Sequence, residues 1–440
     1  MYYRLRNRFF GSRIRKIEIS ECATEYRLDC EFRHLWMILK RNNYKSFTLL
    51  EDDSVSCQID EDEECVLVDF PDEMDASSYD VDDFLDYMSD IKTLKRVNNS
   101  TVSTKHVRQI IIDTNRHGSP YILSKLEELS YTGPNYAIQV VSEPFLVGLQ
   151  NSRDNYYDDN YGLFPCSTYW ALELRYSDNN RLNKQDEIKL VERVLFDLTR
   201  RVGIAVYVSE VIDVDEFIGY ADEDDAVIYA DTEEVSTDME IDIDAIPKHT
   251  ELLNMYREAK EAMNPSIAFL HYYKMIEYVS PAVAKKNAFD QFHEHLSLPD
   301  TTLRDYHYMD TLLDIAKGYR DNQKDDFLAI SVIQTCIDVV PDFYHLPKTL
   351  QKTVKHQLGI EEKVKIESIA LSNEQQMSLK KQVANILYST RNSIVHAKSN
   401  YEPNGLECPP DSLEEVNQMM SSIGRALIQW NENQADYIRV

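Results

Sequence analysis

The sequence has little positive charge. Its 440 residues include 47 lysines and arginines against 76 aspartates and glutamates, which gives a formal net charge of −29. Non-specific affinity for nucleic acid comes from cations that neutralise phosphates, so this balance argues against a general duplex-binding protein. Any contact with nucleic acid must therefore be local.

Two long stretches, residues 46–91 and 202–247, contain no lysine or arginine at all. Both are acidic, with carboxylate runs at 51–53, 60–64 and 222–225. We interpret them as solvated strand edges and loops, because the acids alternate with valine, isoleucine and tyrosine. The alternative is that the carboxylates imitate a phosphate backbone and attract a basic partner or occupy a basic site of the protein itself.

Cysteine motifs and long apolar runs are also missing. The seven cysteines form no CxxC pair, so the sequence suggests neither a disulfide framework nor a zinc ribbon. No stretch approaches the roughly 18 apolar residues of a membrane span, and the basic N-terminus lacks the apolar run of a signal peptide. We expect a cytoplasmic protein without membrane association.

The usual motifs of cofactor and metal sites are absent as well. The sequence has no glycine-rich phosphate loop and no recognisable nucleophilic triad. His293 and His295 are only two residues apart, so they diverge on a helix, and no third ligand stands at a known spacing. We therefore predict no metal and no cofactor.

Apolar and aromatic residues are plentiful. Hydrophobic residues make up 43% of the chain, with 28 tyrosines and 15 phenylalanines, and 440 residues exceed one ordinary core. Residues 1–240 are predicted to form an acidic α+β domain, which we assign to sensing, regulation or partner binding by elimination. Its expected strands are 15–20, 135–143, 168–176 and 204–211, and its expected helix is 184–201.

The pattern changes to helices from residue 248 onward. Asn264 followed by Pro265 is a good start for a long helix, because asparagine caps helices and proline fits the first helical position. Pro281 should kink or end that helix. The other helices are predicted at 248–263, 302–320, 325–339, 346–358, 373–397 and 412–431, which together indicate an all-α bundle.

The helix predicted at 373–397 has two faces. Its apolar stripe should face the core; the stripe residues are Leu379, Val383, Ile386, Leu387, Thr390 and Ile394. Arg391, Asn392 and His396 fall on other sides of the helix. Because Asn392 and His396 are four residues apart, the amide is expected to orient the imidazole ring.

The segment Arg391-Asn-Ser-Ile-Val-His396 resembles the Arg-x4-6-His signature of HEPN domains, the higher eukaryotes and prokaryotes nucleotide-binding family. Tyr388 and the closing helix also look like the family's C-terminal end. The aromatic helix that carries Glu277 is similar to one in HEPN proteins of bacterial phage defence and toxins. The resemblance covers residues 248–440, with an insertion at about 290–372.

The resemblance implies metal-independent endoribonuclease activity at a site shared by two copies of the domain. It also implies an RNA substrate, a homodimer, a role in phage defence or as a toxin, and no membrane. Chemically, a histidine with a pKa near 6.5 can move protons at a ribose 2′-hydroxyl, and arginine can stabilise charge on phosphate oxygens. A regulatory or phage-derived protein partner is expected to act through residues 1–240.

Two alternatives remain open at this point. The helices could form a non-catalytic HEPN module for dimerisation or nucleotide binding, in which Arg391 pairs with an acid and His396 caps a helix. The acidic first half could instead be a nucleic-acid mimic. For the catalytic reading, we expect a partly buried Glu277 to pair with Arg391 and hold the guanidinium in place.

Overall fold

A computed structural model of the chain describes five strands between residues 14 and 68 and, with short gaps, residues 70–211, 240–297, 306–321, 325–396 and 402–440. The acidic runs at 51–53 and 222–225 lie outside the described residues. The chain forms two compact units. The first comprises residues 1–188 and 200–246, and the second comprises residues 189–199 and 247–440.

The first unit begins with a sheet of short strands. Within the described residues its order is β1-β2-β3-β4-β5-β6, and all neighbours are antiparallel except β3 and β4, which are parallel. The strands are β1 (Ile14–Glu18), β2 (Thr24–Asp29), β3 (Trp36–Arg41), β4 (Val55–Asp60), β5 (Cys65–Val68) and β6 (Ser77–Asp80).

A second, mixed sheet follows in the same unit. Its strands are β7 (Lys95–Asn98), β8 (Thr101–Ser103), β9 (Val107–Thr114), β10 (Ser130–Gly133), β11 (Tyr136–Ser142), β12 (Trp170–Tyr176), β13 (Val206–Val208) and β14 (Glu240–Asp242). Among the described residues the order is β14-β10-β11-β12-β9-β8-β7, with β13 also paired to β9. Among the described strands of this sheet, β10 and β14 form the one parallel pair.

The central strands of this sheet explain why the sequence predicts them well. Ile110, Ile111 and Ile112 of β9 are all buried, so both faces of the strand are covered and the apolar run is continuous. The described residues of this half of the chain include the helices α1 (Ser119–Ser124), α2 (Phe145–Asp154) and α3 (Lys184–Val202). The predicted α+β composition is confirmed.

The second unit is helical. Its helices are α4 (Thr250–Glu261), α5 (Pro265–Leu296), α6 (Tyr306–Asp321), α7 (Asp325–Cys336), α8 (Lys348–Gln357), α9 (Asn373–Val395) and α10 (Leu413–Glu432). Helix α5 is central and packs against α4, α7 and α10. No described helix has a stretch long and apolar enough to cross a bilayer.

Local capping explains two of the helix starts. The Asn264 side chain accepts hydrogen bonds from the amides of Ser266 and Ile267, as its place before Pro265 predicts. At the start of α9, Ser372 and Gln375 form a reciprocal capping box. Both arrangements satisfy amide groups that a helix otherwise leaves without acceptors.

The predicted break at Pro281 is not where the helix ends, because α5 continues through it to Leu296. Proline has no N–H, so the carbonyl of Glu277, four residues earlier, loses its usual donor. The Ser280 hydroxyl donates to that carbonyl at 2.9 Å. This side-chain hydrogen bond replaces the missing backbone bond and lets the helix run on.

Part of α3 groups with the helical unit. Residues 189–199 belong to it, although the predicted division at 240–248 treats all of α3 as part of the first domain. The aromatic ring of Phe196 meets Tyr256 edge to face, with 5.4 Å between centroids. Asn254 also donates to the Glu192 carboxylate at 3.2 Å. These contacts with α4 could not be read from periodicity alone.

Candidate functional site

Arg391 lies near the C-terminal end of α9 and pairs with Glu277 of α5. Its Nη2 donates to Glu277 Oε1 at 3.1 Å, and its Nη1 donates to the side-chain oxygen of Asn392 at 3.2 Å. The arginine side chain is 27% exposed and the glutamate 45% exposed. The predicted pairing is therefore present, but Glu277 is exposed rather than partly buried.

The apolar stripe of α9 sets the direction of these polar side chains. Five of the six stripe residues are buried, as the periodicity predicts: Leu379, Val383, Ile386, Leu387 and Thr390. The sixth, Ile394, is only half-buried. Residues advance about 100° along a helix, so Arg391 falls at the edge of this stripe. The arginine can therefore contact α5 with its stem covered while its guanidinium reaches solvent.

His396 ends α9 as its C-cap residue. Its backbone N–H donates to the carbonyl of Asn392 at 2.9 Å, and the residue is exposed. The imidazole thus lies at a helix end, one turn beyond Asn392. The expected contact between the Asn392 amide and the imidazole stays a prediction.

Tyr388 lies one turn before Arg391 and is half-buried. Three and four residues separate neighbours on a helix surface, so Tyr388 and Arg391 belong to the same side of α9. Its supporting role stays a prediction.

The loop that follows α9 is attached to the same end of the helix. The Cys408 amide donates to the hydroxyl of Thr390 at 2.9 Å, and the Asn404 side chain donates to the hydroxyl of Ser389 at 2.9 Å. Thr390 also donates to the carbonyl of Ile386 at 2.7 Å. Residues Asn404 and Cys408 are therefore fixed to the helix directly beside Arg391.

Internal hydrogen bonds hold the shape of this loop. The Glu407 carboxylate accepts from the amides of Asn404 and Gly405 at 2.7 and 2.9 Å. Gly405 has a φ of +83°, which glycine adopts without steric cost. Burial raises the pKa of the Cys408 thiol to about 11, so that thiol is neutral at physiological pH. Sequence reasoning missed this loop because no local pattern signals a contact 18 residues away.

His293 and His295 are the two histidines that stand close together in the sequence, and His295 has a structural role. The His295 ring stacks on Tyr308 with 4.1 Å between centroids, and its Nε2 lies 3.0 Å from the Tyr308 carbonyl oxygen. Among the residues that the structure describes, no cluster of three histidine, cysteine, aspartate or glutamate side chains is arranged to hold a metal ion.

A cavity of about 330 Å³ lies elsewhere on the helical unit, lined by Asp338, Leu379 and Lys380 among others. Lys380 and Arg391 are eleven residues apart on α9, which corresponds to roughly 16 Å along the helix axis. The predicted site residues around Arg391 therefore do not line that cavity. They lie at the protein surface. A surface site suits a long polymer better than a small metabolite, which is usually enclosed.

Comparison with protein-family models, with curated proteins and with solved structures finds no match to this chain. The case for a function therefore rests on the residues at the end of α9 and on their contacts.

Proposed function

We propose that this protein is a metal-independent endoribonuclease of the HEPN type. Arg391 and His396 are the catalytic residues, Asn392 assists them, and Glu277 and Tyr388 support the site. The substrate is RNA, and the setting is phage defence or toxicity in the cytoplasm. Residues 1–240 sense a trigger, bind a regulatory or phage-derived protein, or restrain the activity.

One observation carries this proposal. The Arg391 guanidinium is held by both Glu277 and Asn392, yet it remains 27% exposed. An arginine fixed at a surface can receive a phosphate through its remaining N–H groups without first losing side-chain entropy. The exposed imidazole of His396 follows on the same helix. A group that can transfer protons and a group that can donate hydrogen bonds to a phosphate thus belong to one helix end.

The chemistry requires a second copy of this helix end. One imidazole takes the proton from the ribose 2′-hydroxyl, whose oxygen attacks the adjacent phosphorus, and another protonates the leaving 5′-oxygen. The guanidinium groups stabilise the charge that grows on the phosphorane oxygens. Each copy supplies one Arg391 and one His396, so we propose a homodimer through the HEPN-like helices.

A non-catalytic interaction module is the second candidate. The ion pair between Arg391 and Glu277 favours it, because a surface pair of this kind is also what a purely structural arginine would form. A module of this class would dimerise or bind a nucleotide without cutting RNA. The nucleic-acid-mimic alternative depends on acidic runs that lie mostly outside the described residues.

Cleavage of RNA by the purified full chain separates these candidates. We expect His396→Ala and Arg391→Ala each to lower the cleavage rate by at least about 100-fold, the size of a lost acid–base or charge-stabilising group. His293→Ala is the matched control, because that histidine is also exposed and near a helix end. Excess EDTA should leave the rate unchanged. Equal cleavage by wild type and both variants would remove the nuclease assignment.

A further inference from the structure

Helix α6 lies in the long segment between α5 and α9, and one of its sides is already occupied. Tyr308 is 5% exposed and stacks on His295 of α5, while Leu312 and Ile315 are half-buried. Helix α6 packs against α5 through this side.

A further side of α6, roughly 110° around the helix axis from the packed side, is a row of exposed apolar residues. Tyr306 is 92% exposed, Met309 53% and Leu313 66%, and Ala316 is exposed as well. These residues follow one another at steps of three, four and three. Steps that alternate between three and four residues are the spacing of a coiled-coil seam, in which one helix meets another along its length. Single exposed apolar residues are common on proteins, but a regular row is not.

The charges beside this row distinguish between possible arrangements. Asp310 directly follows the seam residue Met309, and Lys317 directly follows the seam residue Ala316. In a parallel pair each flanking position meets the one five residues earlier in the other helix, so Lys317 would meet Leu312 and Asp310 would face a position before the start of α6. In an antiparallel pair Asp310 of one helix meets Lys317 of the other, twice by symmetry. Only the antiparallel self-pair satisfies both charges.

We propose that the exposed side of α6, formed by Tyr306, Met309, Leu313 and Ala316, binds the same side of α6 in a second copy of this chain, with the helices antiparallel. The inference does not rest on the nuclease assignment, since Arg391 and His396 take no part in it. A 16-residue helix is only about 24 Å long, so the interface is small. Association should be weak and concentration-dependent.

Sedimentation equilibrium of the full chain over a range of concentrations tests the surface itself. Leu313→Glu places a charge in the centre of the row and should weaken this association at least about tenfold, because the carboxylate must be desolvated. Met377→Glu is the matched control, since Met377 is an apolar residue of α9 with 47% exposure. Circular dichroism verifies that both variants fold. Unchanged association in Leu313→Glu, or a wild type that is monomeric at every concentration, would overturn the proposal.

A charge exchange tests the antiparallel arrangement. Asp310→Lys and Lys317→Asp each bring like charges together and should weaken association about threefold to tenfold, whereas the double variant restores the wild-type value. The difference in association constant between the single variants and wild type should decrease as the salt concentration rises. A double variant as weak as either single variant would rule out antiparallel self-pairing. RNA cleavage by Leu313→Glu is measured separately, so loss of the α6 pair and loss of nuclease function are distinguishable.

Discussion

Two glutamate–arginine pairs in this molecule differ mainly in the burial of the glutamate, because the arginines are similarly exposed, Arg175 by 23% and Arg391 by 27%. In the first unit, Glu173 of β12 is completely buried and accepts from Arg175 Nε at 2.6 Å. In the second unit, Glu277 is 45% exposed and meets Arg391 at 3.1 Å. The same two residue types therefore serve different purposes. Arg175 also contacts Asp83, Asp86 and Tyr87, whereas Arg391 contacts Glu277 and Asn392.

The carboxylate of Glu173 accepts hydrogen bonds from several neighbouring side chains. Tyr87 donates to its carboxylate at 2.5 Å, and Gln109 and Gln139 donate at 2.6 and 3.3 Å. The two glutamines stand opposite Glu173 on the neighbouring strands β9 and β11. Burial raises the pKa of the Tyr87 hydroxyl well above its ordinary value, so the phenol stays protonated and can donate. A polar row thus ties three strands together inside an apolar sheet.

Removal of Glu173 should give the largest effect. In Glu173→Ala the Arg175 Nε group and several buried donors lose their acceptor, although Arg175 keeps its contact with Asp83, and we expect a loss of about 3–5 kcal/mol in the free energy of unfolding. Glu277→Ala is the control and should change stability by less than about 1 kcal/mol, because exposed pairs contribute little. Urea unfolding followed by circular dichroism measures both. Similar losses in the two variants would break the contrast between the pairs.

A buried hydroxyl beneath the exposed pair should have the next largest effect. Thr390→Val removes the acceptor for the Cys408 amide, and an unsatisfied buried amide costs roughly 1–3 kcal/mol. We expect lower stability and faster proteolysis within residues 402–408. Thr390→Ser keeps the hydroxyl and should behave like wild type. Unchanged proteolysis in Thr390→Val would mean that this hydrogen bond does not hold the loop.

Neutralising the exposed pair should affect activity far more than stability. Glu277→Gln keeps an oxygen that can accept from Arg391 but removes the negative charge. We expect RNA cleavage to fall about tenfold, equivalent to about 1.4 kcal/mol of transition-state stabilisation. The unfolding free energy should change by less than about 1 kcal/mol. A wild-type cleavage rate would discard the positioning role of Glu277.

The smallest expected effect is the pH dependence of stability that arises from Asp83, the carboxylate beside Arg175. Burial raises the pKa of the Asp83 carboxyl, and the neighbouring Arg175, at 2.8 Å, offsets this only in part. Because the folded-state pKa lies above the unfolded one, the unfolded chain releases the proton first as pH rises. The contribution of Asp83 to stability is therefore present at low pH and is lost as pH rises through the folded-state pKa.

Thermal unfolding of Asp83→Asn from pH 4 to pH 7 checks this sign. The side chain of the variant cannot ionise at this position. The melting temperature of the variant minus that of wild type should therefore increase slightly as pH rises. Asp86→Asn serves as a control on the neighbouring carboxylate, which lies 3.5 Å from Arg175. A decrease of this difference with rising pH would show that the attraction of Arg175 outweighs the effect of burial on the pKa of Asp83.

Sequence patterns predicted the helices of the second unit closely, because their starts depend on local chemistry. Asn264 and Ser372 cap helices through hydrogen bonds within three residues, so the signal and the structure occupy the same short segment. Pro281 does not end its helix because a compensating bond comes from the Ser280 hydroxyl, and the kink, the other predicted outcome, stays a prediction. Periodicity records which face is apolar but not where a hydroxyl points.

The candidate site was predicted only in part for a related reason. Arg391, Asn392 and His396 are near one another in the sequence, and the partner Glu277 was identified from its helix type. The contact between Cys408 and Thr390 joins a loop to a helix, and no spacing rule predicts such a bond. The polar row around Glu173 was missed too, because it joins strands distant in sequence and its glutamate stands in an otherwise apolar strand.

The proline within α5 has a mechanical consequence. The backbone is continuous for 32 residues, but at Pro281 one main-chain hydrogen bond is replaced by a hydroxyl that can rotate about its own bond. Bending stiffness is therefore lowest one turn beyond Glu277. A bend at this point would change the direction of the distal half of the helix, which carries His295, relative to the proximal half, which carries Glu277.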